Sequence, residues 1–395
     1  MSTVATVTRP PITPVEKLVL DTIKAVGPVS FSYYMQLCLS HPTHGYYMDP
    51  NNAVFGQHGD FITSPEITQV FGELLAVWFV LQWQNAGAPS NIRLVELGPG
   101  RGTLMNDILR AVGQFSAVKQ AKIERVHLID SSPTMRELQK KTLAHGGWDV
   151  VWNDGLEEIK PTDAYTMVIA HEFFDALPIN ILEKRATGWH EVRIDAQPEP
   201  DAYPRLRRVL TPEPTPASTL LGNSSERFKT IPDGAHVEIS QVGFRVANQV
   251  AGLLADSPAG GSALFIDYGS EKPAEDSFRA FKDHKNVDAL EAPGQCDVTA
   301  DVDFGFLKEA LDGGVMAHGP MPQGHFLGLM GIGARMKKLL EAAPSDERRQ
   351  AIVDAGNRIM DPAAMGKEYQ VMGITAGKTQ EVWPFSYQPQ QTKDV

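Results

Sequence analysis

The sequence predicts an α/β protein with a Rossmann-like, mostly parallel sheet, a helical N-terminal region and a β-rich insertion. Between residues 92 and 170, short apolar segments alternate with segments whose apolar residues recur at helical spacing. Strands that alternate with helices form parallel sheets with crossover connections. A glycine-rich loop, residues 98–102, follows the first of these strands and precedes the first helix. A loop in that position is typical of a nucleotide-type ligand site.

Hydrophobic spacing and chain-breaking residues place the individual elements. The sequence predicts two N-terminal helices, 15–25 and 30–39, and a longer helix over 65–83 that Ser64 caps and Pro65 begins. The alternating segment comprises, in order, strand 92–97, helix 103–112, strand 125–129, helix 133–143, and strands 149–152 and 165–170. The expected later elements are helix 242–254, strand 263–266, and helices 304–311 and 332–342.

These elements divide the chain of 395 residues into three regions. We expect a helical N-terminal region with a lid loop over residues 1–75, and a Rossmann-like core over residues 76–185 and 236–395. Residues 186–235 contain a Pro/Thr/Ser-rich stretch and no clear helix–strand alternation. They are therefore expected to form the β-rich insertion.

The composition argues against some kinds of partner. The net charge is −12 and the pI is near 5.4, whereas a nucleic-acid surface needs basic patches that contact phosphates. The longest apolar run, residues 74–81, is much shorter than the ~20 residues that span a bilayer. No secretory signal is recognisable, and two cysteines are too few for a disulfide framework. We therefore expect a bacterial cytoplasmic protein with no nucleic-acid partner and no membrane insertion.

The loop at residues 98–102 carries the strongest local signal. Its glycines allow a sharp turn and a close approach of ligand to backbone. The dinucleotide-binding pattern G-x-G-x-x-G/A, counted from Gly98, would end at Thr103, and Glu96 would repel a pyrophosphate. S-adenosylmethionine has no phosphate, and an acidic site tolerates its ammonium and sulfonium groups. A nucleotide-dependent dehydrogenase is the competing interpretation. The residues predicted to bind the cofactor here are Glu96, Gly98, Pro99, Gly100 and Gly102.

Polar residues also end the next two predicted strands. Asp130, followed by Ser131, stands where a carboxylate can accept hydrogen bonds from both ribose hydroxyls of an adenosine. Asn153 and Asp154 end the following strand and could contact the adenine. Each pair also has a structural interpretation, a helix cap for the first and a turn for the second.

A third cluster, His171, Glu172 and Asp175, follows strand 165–170 and includes two phenylalanines. Carboxylates can bind a guanidinium bidentately, and aromatic rings can cover its faces. We therefore predict Glu172 and Asp175 as the residues that hold a cationic acceptor, with His171 as an assisting proton acceptor. The alternative is that these side chains only shape the loop.

Several motifs together resemble the MidA family, which contains the mitochondrial complex I assembly methyltransferase and its bacterial relatives. They occur in order from about residue 30 to residue 375 and so cover nearly the whole chain. The motifs are His44-Gly-Tyr-Tyr47, Asp60-Phe-Ile-Thr-Ser-Pro-Glu66, Phe71-Gly-Glu73, Glu96-Leu-Gly-Pro-Gly-Arg-Gly102, Glu172-Phe-Phe-Asp-Ala-Leu-Pro178, Asp267-Tyr-Gly269, Pro293-Gly294, Asp297-Val-Thr299, Val302-Asp-Phe304, Gln323-Gly-His-Phe-Leu327 and Met365-Gly366.

The resemblance implies a class I methyltransferase fold that binds S-adenosylmethionine and dimethylates an arginine on a core subunit of respiratory complex I. The motifs that carry the resemblance include residues 60–66. We expect Asp60, Ser64 and Pro65 to contact the donor, and the segment to close over the donor as a lid. In a eukaryote the protein would lie in the mitochondrial matrix. The alternative is a non-catalytic assembly factor that keeps the fold to hold a client subunit. The sequence does not indicate an oligomeric state.

Overall fold

The structure is a computed structural model that describes residues 9–49, 63–116, 118–311, 313–377 and 381–387. The α-helices in these ranges are Pro14–Val26 (α1), Phe31–Ser40 (α2), Ser64–Ile67 (α3), Gln69–Asn85 (α4), Thr103–Val112 (α5), Pro133–Leu143 (α6), Pro216–Gly222 (α7), Gln241–Ala255 (α8), Phe304–Ala310 (α9), Gln323–Leu329 (α10), Ile332–Ala342 (α11), Asp346–Met360 (α12) and Met365–Glu368 (α13).

The strands alternate with these helices through much of the chain. They are Val29–Ser30 (β1), Asn91–Leu97 (β2), Lys122–Ile129 (β3), Val150–Asn153 (β4), Tyr165–His171 (β5), Asn180–Arg185 (β6), Gly188–Ala196 (β7), Leu206–Leu210 (β8), His236–Ile239 (β9), Gly261–Ser270 (β10), Arg279–Lys282 (β11), Lys285–Val287 (β12), Asp297–Thr299 (β13), Val302–Asp303 (β14), Val315–Pro322 (β15) and Tyr369–Ala376 (β16).

The central sheet has the strand order β15-β16-β10-β5-β2-β3-β4, with the short β14 beside β10. Neighbouring strands from β10 to β4 are parallel, and β16 is antiparallel to both of its neighbours. The chain moves outward in one direction from β2 and returns to the other side of β2 with β5. This reversal leaves a crevice outside the carboxyl ends of the two strands, where ligands bind in such sheets. The predicted α/β fold with a mostly parallel sheet is confirmed.

Helices cover both faces of this sheet. Every residue of β5 is buried, as is every residue of β2 after the first, which is typical of strands in the middle of a parallel sheet. On one face, Leu94 and Met167 pack in a cluster with α4 and α5. On the other face, Val95 and Val168 pack with α8 and α9. The rigid centre of the sheet thus positions the loops that follow β2 and β5.

Two smaller sheets flank the core. One has the order β1-β7-β6-β9 with β8 beside β7, and it therefore pairs the N-terminal strand β1 with strands of the predicted insertion. The other has the order β12-β11-β13. The boundaries of the three predicted regions remain a prediction.

The single helix predicted over residues 65–83 is wrong. The chain forms α3 and α4 instead, with Thr68 between them in an extended conformation (φ −158°, ψ 135°). The hydroxyl of Thr68 accepts a hydrogen bond from the backbone N–H of Val70 at 3.3 Å and so caps α4. A β-branched residue that can cap a helix with its own side chain competes with helix continuation. Ser64, the predicted cap, is the first residue of α3, and Thr63 occupies the cap position.

No helix in the described ranges is long and apolar enough to cross a membrane.

Candidate active site

The loop after β2 turns through three glycines with left-handed backbone conformation. Gly98, Gly100 and Gly102 have φ values of 62°, 50° and 80°, a region that other residues enter at a cost. The backbone N–H of Gly98 donates to the carbonyl oxygen of Ile129 at 3.0 Å, which ties the loop to the end of β3. A Cβ atom on Gly98 would lie 2.8 Å from the ring of Phe173. The loop therefore needs glycine for both its conformation and its packing.

A cavity of about 650 Å³ opens beside this loop at the carboxyl ends of the strands. Its volume falls within the usual range of small-molecule sites. Six of the predicted site residues line it, namely Gly98, Gly100, Asp130, Ser131, Asp154 and Glu172.

A second cavity of about 50 Å³ adjoins the first and shares Gly98, Gly100 and Glu172 with it. The other predicted site residues that line it are Pro65, Glu96, Pro99 and His171. Glu66 and Arg101 also border it, with 3.9 Å between the Glu66 Oε1 and Arg101 Nη1 atoms. Acidic side chains therefore line both cavities.

Asp130 is held in a fixed orientation at the edge of the large cavity. Its Oδ1 atom accepts a hydrogen bond from the backbone N–H of Ser132 at 2.8 Å, and its Oδ2 atom accepts one from Gln139 at 2.7 Å. Gln139 also donates to the carbonyl oxygen of Gly100 at 2.8 Å, which links the acid to the glycine loop. Burial raises the pKa of Asp130 despite these hydrogen bonds. A carboxylate oriented in this way suits a ribose diol.

Glu96, at the end of β2, is a buried acid with no ion-pair partner in the described residues. Its side chain is 3% exposed, and its Oε2 atom has no hydrogen-bond partner within the described residues. Burial, with a smaller contribution from the charge of Asp130, raises the pKa of Glu96 to about 8. A positively charged ligand would supply the missing partner, because a buried charge is stable only when it is paired.

Glu172 follows β5 in a left-handed conformation, with φ at 49°. Its backbone N–H donates to the carbonyl oxygen of Ile266 at 2.9 Å, so β10 holds the strained residue in place. Burial, reinforced by the charge of Asp175, raises the pKa of Glu172 to about 8. The Oε1 atom has no hydrogen-bond partner in the described part of the chain. Strain of this kind in a non-glycine residue is typical of functional sites.

Asp175 lies in the same loop but lines neither cavity. Its Oδ2 atom accepts hydrogen bonds from the hydroxyls of Tyr268 and Thr299, the latter at 2.7 Å. Its Oδ1 atom is buried, again with no partner in the described residues. Burial raises the pKa of Asp175, and the two hydroxyls oppose this shift.

His171 is the last residue of β5, and its Nε2 atom lies 3.5 Å from the Oε1 atom of Glu172. Burial lowers the pKa of His171 to about 3. The ring is therefore neutral at physiological pH and too weak a base to accept a proton readily. The geometry does not favour the proton-acceptor role predicted from the sequence.

Besides Asp175, three predicted site residues lie outside both cavities. Gly102 caps α5. The Oδ1 atom of Asn153 lies at hydrogen-bond distance, 2.8 Å, from the Nδ1 atom of His127. Its Nδ2 atom donates a hydrogen bond to the Oε2 atom of Glu158 at 3.0 Å. Ser64 is buried. Asp60, together with residues 61 and 62 of the predicted lid, lies outside the described residues.

The sequence did not predict several residues at this site that come from distant parts of the chain. Tyr47 and Met48, after α2, line the large cavity, as does Arg245 of α8. Tyr268 and Thr299 contact Asp175, as described above. Tyr47, Tyr268 and Thr299 fall within motifs that carry the family resemblance, which was the signal available for finding them.

The site suits S-adenosylmethionine. Buried carboxylates that each keep one oxygen without a hydrogen-bond partner in the described residues fit the ammonium and sulfonium groups, and Asp130 fits the ribose. The fold and site thus define a class I S-adenosylmethionine-dependent methyltransferase.

Comparisons with known proteins agree. The family described as "Putative S-adenosyl-L-methionine-dependent methyltransferase" matches residues 74–321. Human protein arginine methyltransferase NDUFAF7, mitochondrial, is 36% identical over 386 residues, covering 92% of this chain and 84% of the relative. The zebrafish (Danio rerio) protein of the same name is 37% identical over 377 residues, with coverages of 91% and 86%. The chain belongs to this methyltransferase family, and the predicted resemblance is confirmed.

A solved structure supports the fold. A Burkholderia thailandensis protein bound to S-adenosyl-homocysteine superposes with a TM-score of 0.76 at 24% identity, covering 95% of this chain and 97% of that chain. Membership of the methyltransferase family removes the dehydrogenase interpretation.

Proposed function

We propose that this methyltransferase dimethylates an arginine side chain of a protein substrate. The observation that carries the proposal is the pair of buried carboxylates, Glu172 and Asp175, each with one oxygen atom that has no hydrogen-bond partner in the described residues. The human and zebrafish relatives are named protein arginine methyltransferases, which supports the same acceptor.

The chemistry of arginine suits this pair of acids. A guanidinium remains protonated at neutral pH and presents a planar set of N–H donors. Two carboxylates can bind such a group through charge-assisted hydrogen bonds and concentrate its positive charge on the nitrogens that face them. The remaining nitrogen is then better able to attack, and the clamp can hold it at a near-attack distance of ~3–3.5 Å from its target.

The donor would occupy the large cavity. We assign its ribose to Asp130, its adenosine to the side lined by Ser131 and Asp154, and its methionine part to the small cavity beside Glu96. When bound, S-adenosylmethionine supplies an electrophilic methyl group on a sulfonium. The protein then needs to position the acceptor, exclude water and stabilise two neighbouring cations. Glu96 and Glu172, whose pKa values burial raises, are suited to stabilising these cations because a nearby cation favours the ionised carboxylate.

For the acceptor protein we propose a core subunit of respiratory complex I. We further propose that the reaction takes place in the bacterial cytoplasm, or in the mitochondrial matrix of a eukaryote. Support comes from the family resemblance and from the relatives named as mitochondrial proteins. Mass spectrometry of complex I from cells with and without this protein tests the proposal. Loss of a dimethylarginine from a core subunit is expected, and an unchanged methylation pattern would reject this acceptor.

The variant Glu172→Gln tests the arginine assignment. The amide keeps the size of the side chain and removes its charge, so donor affinity should stay within about twofold while methyl transfer falls at least about 100-fold. Asp175→Asn should have a similar effect. Glu341→Gln, which changes an exposed residue of α11, is the matched control and should keep the wild-type rate.

Labelled donor, isothermal calorimetry and mass spectrometry of the modified residue provide the measurements. If both acid variants retain the wild-type rate, the two acids only shape the loop. If the wild-type protein binds a client subunit but transfers no label to it, the protein is a non-catalytic assembly factor.

A further inference from the structure

The carboxyl end of β10 contacts the loop that carries Glu172 and Asp175. The Oδ2 atom of Asp267 accepts hydrogen bonds from the backbone N–H groups of Phe173, Phe174 and Asp175, at 3.1, 3.0 and 3.3 Å. Asp267 is fully buried. Burial and the charges of Asp175 and Glu172 raise the pKa of Asp267, and the backbone donors oppose this shift. The three hydrogen bonds tie the loop to β10 and hold it in one conformation despite the strain at Glu172.

Tyr268, the next residue, approaches the same loop from its other side. Its ring lies edge-on to Tyr369, with centroids 5.5 Å apart, and the guanidinium carbon of Arg279 lies 4.8 Å from the ring centroid. Its hydroxyl donates to Asp175 and lies 2.5 Å from the hydroxyl oxygen of Thr299. Because neighbours confine the ring, the hydroxyl has a fixed position.

Both hydroxyls contact the same oxygen atom of Asp175. Thr299 and Tyr268 are each hydrogen-bonded to Oδ2, while Oδ1 stays buried without a partner among the described residues. The two contacts therefore fix the rotation of the carboxylate and determine which oxygen remains available. A hydroxyl donor also favours the ionised carboxylate over the neutral acid.

We propose that Tyr268 and Thr299 are positioning residues, whose hydroxyls hold one oxygen of Asp175 so that the other binds the acceptor cation, while Asp267 fixes the loop. The inference rests on the proposed arginine methylation, because it assigns Asp175 to the acceptor. Like Asp175 itself, Tyr268 and Thr299 line neither of the two cavities. The two hydroxyls act through Asp175 because both are hydrogen-bonded to its carboxylate.

Several charged and titratable groups surround Asp175, and each influences its ionisation. The acids oppose its negative charge, whereas Arg279 and the hydroxyl donors Tyr268 and Thr299 support it. Burial raises the pKa values of Tyr47 and Tyr369, so both remain uncharged at neutral pH. The groups are Glu172 of the same loop, Asp267 and Tyr268 of β10, Arg279 of β11, Thr299 of β13, Tyr369 of β16, and Tyr47 after α2.

The test removes each hydroxyl while preserving the shape of the side chain. Tyr268→Phe and Thr299→Val delete one donor each, and Thr299→Ser restores a hydroxyl at the second position. Tyr34→Phe is the matched control, because Tyr34 is also buried and its hydroxyl donates to the backbone carbonyl of Ala289, with no contact to Asp175. Carbon NMR of aspartate labelled at the carboxyl group follows the ionisation of Asp175, and Asp175→Asn identifies the signal.

The pKa of Asp175 should rise by about one unit in Tyr268→Phe and Thr299→Val, since each loses a donor to the anion. It should return close to the wild-type value in Thr299→Ser and stay unchanged in Tyr34→Phe. Methyl transfer should fall about tenfold in the first two variants, equivalent to about 1.4 kcal/mol, because the carboxylate of Asp175 is no longer held in one orientation. Donor affinity should remain within twofold, about the precision of the measurement.

Three results would overturn the inference. They are an unchanged pKa of Asp175 in both hydroxyl deletions, failure of Thr299→Ser to restore the wild-type behaviour, and a loss of donor affinity in step with the rate. The NMR titration requires no acceptor. It therefore tests the contact of the hydroxyls with Asp175 even if the wild-type protein methylates no arginine, and that separate outcome would reject only the proposed function.

Discussion

Two glycines of the loop after β2, Gly100 and Gly102, allow the effect of ligand contact to be distinguished from the effect of backbone strain. Gly100 and Gly102 both have left-handed backbone conformations, but only Gly100 borders the two cavities. A side chain at either position meets the same kind of strain, of about 1–2 kcal/mol. A side chain at Gly100 also enters the space that we assign to the donor.

Gly100→Ala should therefore lower donor affinity at least tenfold, a difference of about 1.4 kcal/mol in binding free energy. Gly102→Ala should lose a similar amount of stability and keep its donor affinity within about twofold, since a Cβ there would lie 3.5 Å from Gln139, an ordinary contact. Calorimetric titration with donor and thermal unfolding give the two quantities. Equal donor affinity in the two variants would place the donor away from Gly100.

The predicted site residues that directly follow a strand lie at the large cavity. Gly98, Asp130 and Glu172 each come after an apolar segment with clear boundaries, and parallel strands bring their carboxyl ends to one edge of the sheet. Tyr268 and Thr299 reach Asp175 from 93 and 124 residues away. No local pattern relates such positions, because two separate strands, β10 and β13, bring them to Asp175.

At the level of elements, the packing of α4 against α5 depends on a glycine. A Cβ atom on Gly72 of α4 would lie 2.8 Å from the Cβ atom of Asp107 of α5. Glu73, the next residue, accepts hydrogen bonds from Arg110 and Arg335 and so links the pair of helices to α11. The close contact explains why a residue of poor helix propensity occupies the middle of a buried helix.

Gly72→Ala should consequently destabilise the protein by about 1–3 kcal/mol, because overpacking outweighs the gain in helix propensity. Gly252→Ala is the matched variant in α8, where an added Cβ meets nothing within 4 Å. That substitution should stabilise the protein by up to about 1 kcal/mol. Urea unfolding measures both effects. A stabilising Gly72→Ala would mean that α4 and α5 separate without cost.

Some helices of the structure are predicted correctly from the sequence, whereas one inner strand is missed, and each outcome has a physical reason. Helix 332–342 and helix 103–112 were predicted with their observed bounds, because apolar residues recur at helical spacing in both and a glycine directly precedes each. The sequence did not predict β16, which is an inner strand of the central sheet. Gly373 lies within it and reduces its strand propensity. The glycine is needed there because a Cβ atom would lie 2.5 Å from the ring of Phe385.

At the scale of the whole molecule, buried acids make folding depend on pH. Burial raises the pKa of both Glu96 and Glu172 to about 8 in the folded protein, whereas an unfolded glutamate titrates near ~4.3. Between these values the folded protein keeps a proton that the unfolded chain has released. A raised carboxyl pKa therefore contributes stability at low pH, which is lost progressively as the pH rises toward 8.

Without donor, each of these groups should lower the free energy of unfolding by ~1 kcal/mol per pH unit between about pH 5 and pH 8. In Glu172→Gln, the plot of unfolding free energy against pH should be shallower than the wild-type plot by that amount. This difference in slope does not depend on how the amide changes stability at any single pH. Glu341→Gln should keep the wild-type slope, since it changes an exposed side chain. Urea unfolding at pH 5.5, 6.5 and 7.5, a range of about two pH units within this window, provides the three slopes. Parallel lines for the wild type and Glu172→Gln would mean that Glu172 is already ionised in the folded protein. The acceptor cation would then bind a carboxylate that is charged before it arrives.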